Sequence, residues 1–436
     1  DGGDDLWVRD DEKSPWRKLI DWNFEDAMLG GIFGFSKDGR FLYLRDSRGV
    51  NTAQLVKMDI QSGTVDVLMN DREYDLGSVL MHPDTYEIQM VSFEKEKREW
   101  KALDPPLEED LEAIGRLQEG DFFVASRDNG LENWIIGFST DDAPINFYFY
   151  YPLSKKGTFL FTARPDLEKY QLAEIKPVFF KARDGLTVHG YLTLPPGIKP
   201  EKLPLVIAVH GGPWSRTTWG YDPEAQWLAN RGYAALDINY RGSSGYGKGF
   251  LNAGNKEWGR KMHEDLVDAV RWAVGEGIAD PERIAIYGGS YGGYAALVGA
   301  TFTPDLFRCA VSIVGPSNLI TFIRSTPPYW KNFLANLYKR VGNPDTEEAF
   351  LKSRSPLFRV DQIKIPILIA QGANDPRVKQ AESEQIVEAM KEKGIDHQYL
   401  LFKDEGHGFV KSGNRLKFYA EAEKFLSKHL GGRYEK

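Results

Sequence analysis

Ser290, Asp375 and His407 are the residues of this chain whose types and order can do chemistry together. Ser290 sits in Gly288-Gly-Ser-Tyr-Gly292, between the apolar strand-type run Arg283-Ile-Ala-Ile-Tyr287 and the helix formers Tyr294-Ala-Ala-Leu-Val-Gly-Ala300. The chain must reverse there within a few residues, and glycines are needed where side chains would collide. The reversal lifts the serine to the tip of a strand-to-helix turn. A pentapeptide this short also arises by chance, so the serine needs a base and an acid to follow it. Ile367-Leu-Ile-Ala-Gln-Gly-Ala-Asn-Asp-Pro-Arg377 puts Asp375 just past a strand-type run, and Asp404-Glu-Gly-His-Gly-Phe409 puts His407 past the next. A hydroxyl is too weakly acidic to attack a carbonyl unaided. A histidine that takes its proton, held in the right tautomer by a carboxylate, makes it a nucleophile. The order Ser, Asp, His suits that division of labour, with Asp404 as a competing acid on the histidine's own loop.

A tetrahedral intermediate also needs hydrogen-bond donors where its negative oxygen develops. Val209-His-Gly-Gly-Pro-Trp214 ends the first strong strand, and its glycine pair lets backbone N–H groups face that point. Gly212 and Tyr291 are the candidate donors. His210 reads as a strand-end structural residue rather than a second base. Two other stretches are decoys. Gly242-Ser-Ser-Gly-Tyr-Gly-Lys248 meets most of a phosphate-loop pattern, but Gly249 stands where a magnesium-binding hydroxyl belongs and no helix clearly begins there. His263-Glu264 begins like a zinc-protease helix, yet Val267 holds the second histidine's place. No metal and no cofactor are expected.

The elements that must position these residues fall into two halves. From Gly34 to about Arg164 short β-type runs alternate with turns: Gln54–Ile60 and Thr64–Met69 flank Gln61-Ser-Gly63 as a hairpin would. The theme recurs at roughly 45 residues, the size of a four-stranded propeller blade. The expectation for residues 1–175 is therefore an all-β domain, an incomplete β-propeller of three to four blades. From 176 to 436 strands alternate with helices, with strands at Leu205–Val209, Tyr233–Asn239, Ile284–Tyr287, Cys309–Val314, Ile367–Ala370 and Gln398–Phe402. That pattern is a doubly wound, mostly parallel sheet, whose ligands bind beyond the carboxyl ends of the strands. Helices are expected at Tyr294–Gly299, Gln380–Lys393 and Arg415–His429.

Bulk properties close off other classes. The chain has 436 residues, 42% of them hydrophobic, which is enough for two ordinary cores. A net charge of -8 offers no basic field for nucleic acid. No apolar run approaches the ~20 residues that cross a bilayer, so no membrane partner and a soluble, by default cytoplasmic, protein are expected. Cys309 is the single cysteine, which excludes an internal disulfide and a thiolate metal cage.

Taken together, His210-Gly-Gly-Pro213, Asn239-Tyr-Arg-Gly-Ser243, Gly288-Gly-Ser-Tyr-Gly-Gly293, Gly372-Ala-Asn-Asp-Pro-Arg377 and Glu405-Gly-His-Gly408 resemble the prolyl oligopeptidase family of serine peptidases. The resemblance runs from about Lys176 to the C-terminus and is closest to the acylaminoacyl-peptidase and dipeptidyl-aminopeptidase-like branch. It implies an α/β-hydrolase domain with Ser290, Asp375 and His407 as catalytic triad and backbone donors at Gly212 and Tyr291. It also implies that Arg377 binds a substrate carbonyl. Prolyl oligopeptidase itself uses a tyrosine hydroxyl in the hole, and no tyrosine stands beside His210-Gly-Gly-Pro213 to match it. Family members carry seven blades, whereas ~45 residues per blade leaves room for about four here, so a missing N-terminal segment is expected. The implied activity is hydrolysis of short peptides through an acyl-enzyme, freeing acylated or dipeptide units. A carboxylesterase with the same triad and a noncatalytic scaffold are the other readings. Phe322, Tyr329 and Trp330 are candidates for the acyl pocket or for plain core.

Overall fold

Turn chemistry sets the pattern of the N-terminal half. At the hairpin between Gln54–Asp59 and Val65–Met69, the Asp59 carboxylate accepts from the N–H groups of Gln61 and Ser62, both at 3.0 Å, and Gly63 takes φ 73°. That conformation favours glycine and lets the chain return. The computed structural model describes residues 2–435. They divide into two compact units, one of residues 2–172, 218–222 and 244–252, the other of 173–217, 223–243 and 253–435.

In the first unit every strand pairs antiparallel with its sequence neighbour. A hairpin, Asp4–Val8 with Arg17–Trp22, is followed by a four-stranded sheet spanning Gly31 to Met69. A three-stranded sheet then runs from Leu76 to Ala102, and a second four-stranded one from Asp121 to Thr162. Pro106–Gly115 is a helix, with proline in its first turn beside Glu108 and Glu109. These are ordinary start signals, fixed φ and negative charge at the positive end of the helix dipole. Its buried Asp110 accepts from the Tyr150 hydroxyl at 2.6 Å and pairs with Lys155 at 2.8 Å.

The glycine-rich stretch after Gly242 lies partly in this unit, and a short helix, Gly247–Asn252, does begin there, contrary to expectation. Its N–H groups are already engaged. Gly247 donates to Asp75 at 3.0 Å, and Gly249 donates to the Asn51 side chain at 2.9 Å. The Lys248 ammonium sits 2.7 Å from Asp26. Carboxylates stand where a phosphate would have to lie.

The second unit is built on one eight-stranded sheet. Its spatial order is Ile175–Lys181, Thr187–Thr193, Ala234–Asn239, Leu203–Val209, Ala279–Gly289, Cys309–Ile313, Ile367–Gly372 and His397–Phe402. The first two strands join antiparallel and the rest run parallel. The parallel strands are near-continuous apolar runs, Leu203–Val209 being buried at every position, because helices cover both faces of such sheets. Helices Lys261–Gly275, Tyr291–Phe302, Gln380–Glu392 and Ser412–Leu430 supply much of that cover. Gly212, Ser290, Asp375 and His407 all follow the carboxyl ends of parallel strands, so one edge of the sheet gathers them.

Candidate active site

The elbow carrying Ser290 is held by close backbone contacts. Ser290 has φ 59° and ψ -118°, a region that costs a non-glycine residue about 1–3 kcal/mol and recurs where function demands it. Its N–H donates to the Ile313 carbonyl on the next strand at 2.8 Å. Glycine is compulsory at two flanking positions. A Cβ on Gly288 would lie 2.6 Å from the Val209 carbonyl oxygen, and one on Gly292 only 2.0 Å from it. At Gly289 the nearest atom would be 4.0 Å away, which fits the free position of the G-x-S-x-G pattern. The helix starts at Tyr291, three residues before the Tyr294 read from composition, because its opening glycines are there for close approach rather than helix propensity.

Loop-to-loop hydrogen bonds fix the segments carrying Asp375 and His407 together. The Asn374 N–H donates to the Glu405 carbonyl and the Asn374 side chain to the Lys403 carbonyl, both at 2.9 Å. Asp375 is buried. Its Oδ1 accepts from the N–H groups of Arg377 and Val378 at 2.8 and 2.9 Å. That leaves Oδ2 for His407, whose Nδ1 lies 2.7 Å away. His407 Nε2 in turn lies 3.0 Å from the Ser290 hydroxyl. The structure thus brings the three residues into one hydrogen-bonded line, the geometry in which a histidine takes a serine's proton. Asp404 is elsewhere, paired with Lys411 at 2.7 Å and bonded to Asn414 at 3.0 Å.

A cavity of about 120 Å³ opens beside Ser290, and Gly212 and Tyr291 both line it. The Tyr291 N–H belongs to the first turn of its helix, where no carbonyl lies a turn back to receive it. The Tyr291 ring is buried, edge-on to Trp258 with centroids 4.7 Å apart. The remaining wall is aromatic and aliphatic: Trp214, Trp258, Phe322, Trp330, Phe333 and Leu337. Arg377 is the sole charged residue among the described residues of that lining, with its guanidinium 5.9 Å from the Trp330 ring centroid. Of the aromatic residues singled out in sequence, Phe322 and Trp330 line the cavity, while Tyr329 is 62% exposed and does not. Trp214, Trp258 and Phe333 were missed. Trp214 could have been found, since it directly follows the glycine loop.

Glu382 escaped sequence reading altogether. It is 2% exposed and accepts from the N–H groups of Ser317 and Asn318 at 3.0 and 2.9 Å and from the Thr321 hydroxyl. Burial pushes its carboxyl up from the usual carboxylate range, against those hydrogen bonds that pull it down. It ties the start of helix Leu319–Arg324, which carries Phe322 of the cavity wall, to the helix that follows the Asp375 loop. Among the described residues, no group of three or more His, Cys, Asp and Glu could hold a metal ion. No helix among them is long and apolar enough to cross a membrane.

Comparison with known proteins gives a concordant set of likenesses. A family model described as the prolyl oligopeptidase family matches residues 219–433. Dipeptidyl aminopeptidase BIII of Pseudoxanthomonas mexicana is 48% identical over 444 residues, taking in 100% of this chain and 64% of the relative. Dipeptidyl peptidase family member 6 of Caenorhabditis elegans is 38% identical over 451 residues, 98% of this chain and 61% of the relative. A puromycin-hydrolyzing peptidase of Mycobacterium tuberculosis has a similar fold, with a TM-score of 0.82 at 24% identity, over 99% of this chain and 66% of that one. The chain spans less than two thirds of the length of both curated relatives.

Proposed function

We propose that the chain is a member of the prolyl oligopeptidase family and, on that premise, a serine peptidase that releases dipeptides from short peptides. In this reading residues 176–436 are an α/β-hydrolase domain and residues 1–175 part of a β-propeller. Ser290 attacks the scissile carbonyl while His407 Nε2 takes the hydroxyl proton. Asp375 holds the proton of the ring on Nδ1 and stabilises the imidazolium. The N–H groups of Gly212 and Tyr291 receive the oxyanion, and His407 then protonates the departing amine. Water, activated by the same histidine, hydrolyses the acyl-enzyme. Arg377 binds a carbonyl of the substrate, and the aromatic cavity takes an apolar side chain next to the cleaved bond.

The observation that carries the reading is the unbroken line from Ser290 through His407 to Asp375, at 3.0 and 2.7 Å. Dipeptide release is favoured over acyl-amino-acid release because the two relatives that align along nearly the whole chain bear dipeptidyl-peptidase names. The test is fluorophosphonate labelling of the wild type against Ser290→Ala, followed by turnover of dipeptide anilides, acyl-amino-acid anilides and short esters. Labelling that depends on Ser290, with dipeptide anilides turned over best, is the expected result. Labelling that persists in Ser290→Ala would remove the proposal, and turnover of esters alone would make the protein a carboxylesterase.

A further inference from the structure

Building on the reading of the aromatic cavity as the seat of an apolar side chain, we propose that Glu382 is a positioning residue for that preference, its carboxylate bracing the Pro316–Phe322 segment of the cavity wall to the Arg377–Val378 segment. Pro316 and Phe322 both line the cavity, as do Arg377 and Val378. The first pair flanks the turn from Ser317 to Thr321, and Glu382 follows the second pair at the start of helix Gln380–Glu392. Glu382 Oε2 accepts from the N–H groups of Ser317 and Asn318 at 3.0 and 2.9 Å, and Oε1 accepts from the Thr321 hydroxyl. A bond also runs the other way: the Ser317 hydroxyl donates to the Glu382 carbonyl at 2.6 Å. One buried glutamate and one turn thus share four hydrogen bonds.

The turn needs such a brace. The chain enters it through Val314, whose φ of 44° is an outlier for a β-branched residue and persists only where the surroundings impose it. The Ser355–Leu357 segment supplies part of the restraint, since the Leu357 N–H donates to the Ser317 carbonyl at 3.0 Å and the Leu319 N–H to the Ser355 hydroxyl at 2.9 Å. Those bonds leave the Arg377–Val378 segment out. Glu382 ties it in, because its own neighbourhood is locked to Val378. The Ser383 hydroxyl donates to the Gln371 side-chain oxygen at 2.8 Å, and the Gln371 NH₂ donates to the Val378 carbonyl at 3.1 Å.

Phe322 rides on the held turn. It follows Thr321 directly, and its N–H donates to the Asn318 carbonyl at 3.0 Å. A shift of Asn318 or Thr321 therefore carries the ring with it. Contact energy falls steeply with distance: a gap of about 0.5–1 Å forfeits roughly a quarter to a half of the attraction between two atoms. A branched side chain in the cavity has many such contacts to lose, and a methyl group has few. Loosening the brace therefore weakens large substrates more than small ones.

The donor set chooses the variants. In Glu382→Gln the remaining oxygen can keep both N–H groups, and the new NH₂ can donate to the Thr321 hydroxyl, which turns its own proton to the Asn318 carbonyl 3.1 Å away. Glu382→Ala loses every bond to the carboxylate, and Thr321→Val loses one. The readout is kcat and KM on dipeptide anilides with leucine or alanine next to the anilide, with a thermal melt of each variant. The wild type should prefer leucine. Glu382→Ala is expected to lower the leucine-to-alanine ratio of kcat/KM by about tenfold, chiefly through KM for the leucine substrate. Thr321→Val should lower it by about threefold, and Glu382→Gln should hold it within about twofold. An unchanged ratio in Glu382→Ala or in Thr321→Val would overturn the proposal, and so would a Gln variant that falls as far as the Ala variant. Should Glu382→Ala fail to fold, the ratio in Thr321→Val decides alone. A wild type that shows Ser290-dependent turnover without a leucine preference would instead remove the reading of the cavity on which the proposal rests.

Discussion

An Asp375→Asn variant should fold and fail to turn over. Oδ1 of Asp375 receives two backbone N–H groups, from Arg377 at 2.8 Å and Val378 at 2.9 Å, and an asparagine oxygen can keep both. Its NH₂ must then replace Oδ2, 2.7 Å from His407 Nδ1. Flipping the amide would set the NH₂ against the two backbone donors, so that escape is closed. Facing a donor, His407 moves its proton to Nε2, which lies 3.0 Å from Ser290 and can no longer accept the serine proton. The wrong tautomer costs about 10⁴-fold in kcat, equivalent to about 5.5 kcal/mol of barrier. Asp404→Asn is the control: Asp404 is half-exposed and occupied by Lys411 and Asn414, so kcat should stay within about twofold. The assay is turnover of a peptide anilide with a thermal melt of each variant. An Asp375→Asn enzyme that keeps more than about a tenth of wild-type kcat refutes the reasoning, and loss in Asp404→Asn instead would make Asp404 the acid.

The other predictions address the elbow, the first unit and the substrate. Gly292→Ala drives a Cβ into the Val209 carbonyl and should cost at least about 3 kcal/mol or abolish soluble expression, whereas Gly289→Ala, with 4.0 Å of clearance, should melt like the wild type. Comparable melting temperatures for the two would show the packing argument wrong. Burial raises the Asp121 carboxyl to about 6 although the Arg98 N–H donates to it at 2.7 Å. The folded state thus holds that proton more tightly than the unfolded chain, and stability falls as pH rises from about 4 to about 6. Asp121→Asn keeps the acceptor without the charge, so it should stabilise the protein by about 2 kcal/mol at pH 7.5 and by nothing at pH 3.5, measured by denaturant unfolding; a difference independent of pH would contradict this. Arg377→Met should raise KM for a peptide anilide about tenfold at nearly constant kcat, because a guanidinium that holds a distant carbonyl binds ground and transition states alike. An unchanged KM would return Arg377 to the surface.

Much of the fold was legible because the sheet writes itself in one dimension. A parallel strand buried on both faces is a short apolar run, and Leu203–Val209, Cys309–Ile313 and Ile367–Gly372 are such runs. Helix Pro106–Gly115 was hidden by its setting among strands, although its proline and paired glutamates are start signals. Helix Gly247–Asn252 was hidden for another reason. Its start is stabilised by Asn51 and Asp75, which lie 198 and 172 positions from the residues they accept from, and no local propensity reports that.

The candidate site divides along the same line. Ser290, Asp375 and His407 could be read because each is presented by backbone geometry that a local motif encodes, the glycines of the elbow or the turn past a strand end. Even their mutual approach leaves a local trace: a Cβ on Gly372 would lie 2.1 Å from the Gly406 carbonyl oxygen, so a glycine marks where the His407 loop crosses the strand that leads to Asp375. The cavity wall has no such trace. Trp214, Trp258, Phe322 and Phe333 come from separate segments and meet only through packing, where Trp214 and Phe333 stand edge-on at 5.4 Å. Any one of them in isolation is a plain core residue. Glu382 is the extreme case, a glutamate in an ordinary amphipathic helix whose burial depends on the loop at Ser317 and Asn318 donating its N–H groups. Residues of the candidate site are therefore legible where the backbone does the positioning, and illegible where side chains from distant segments do it.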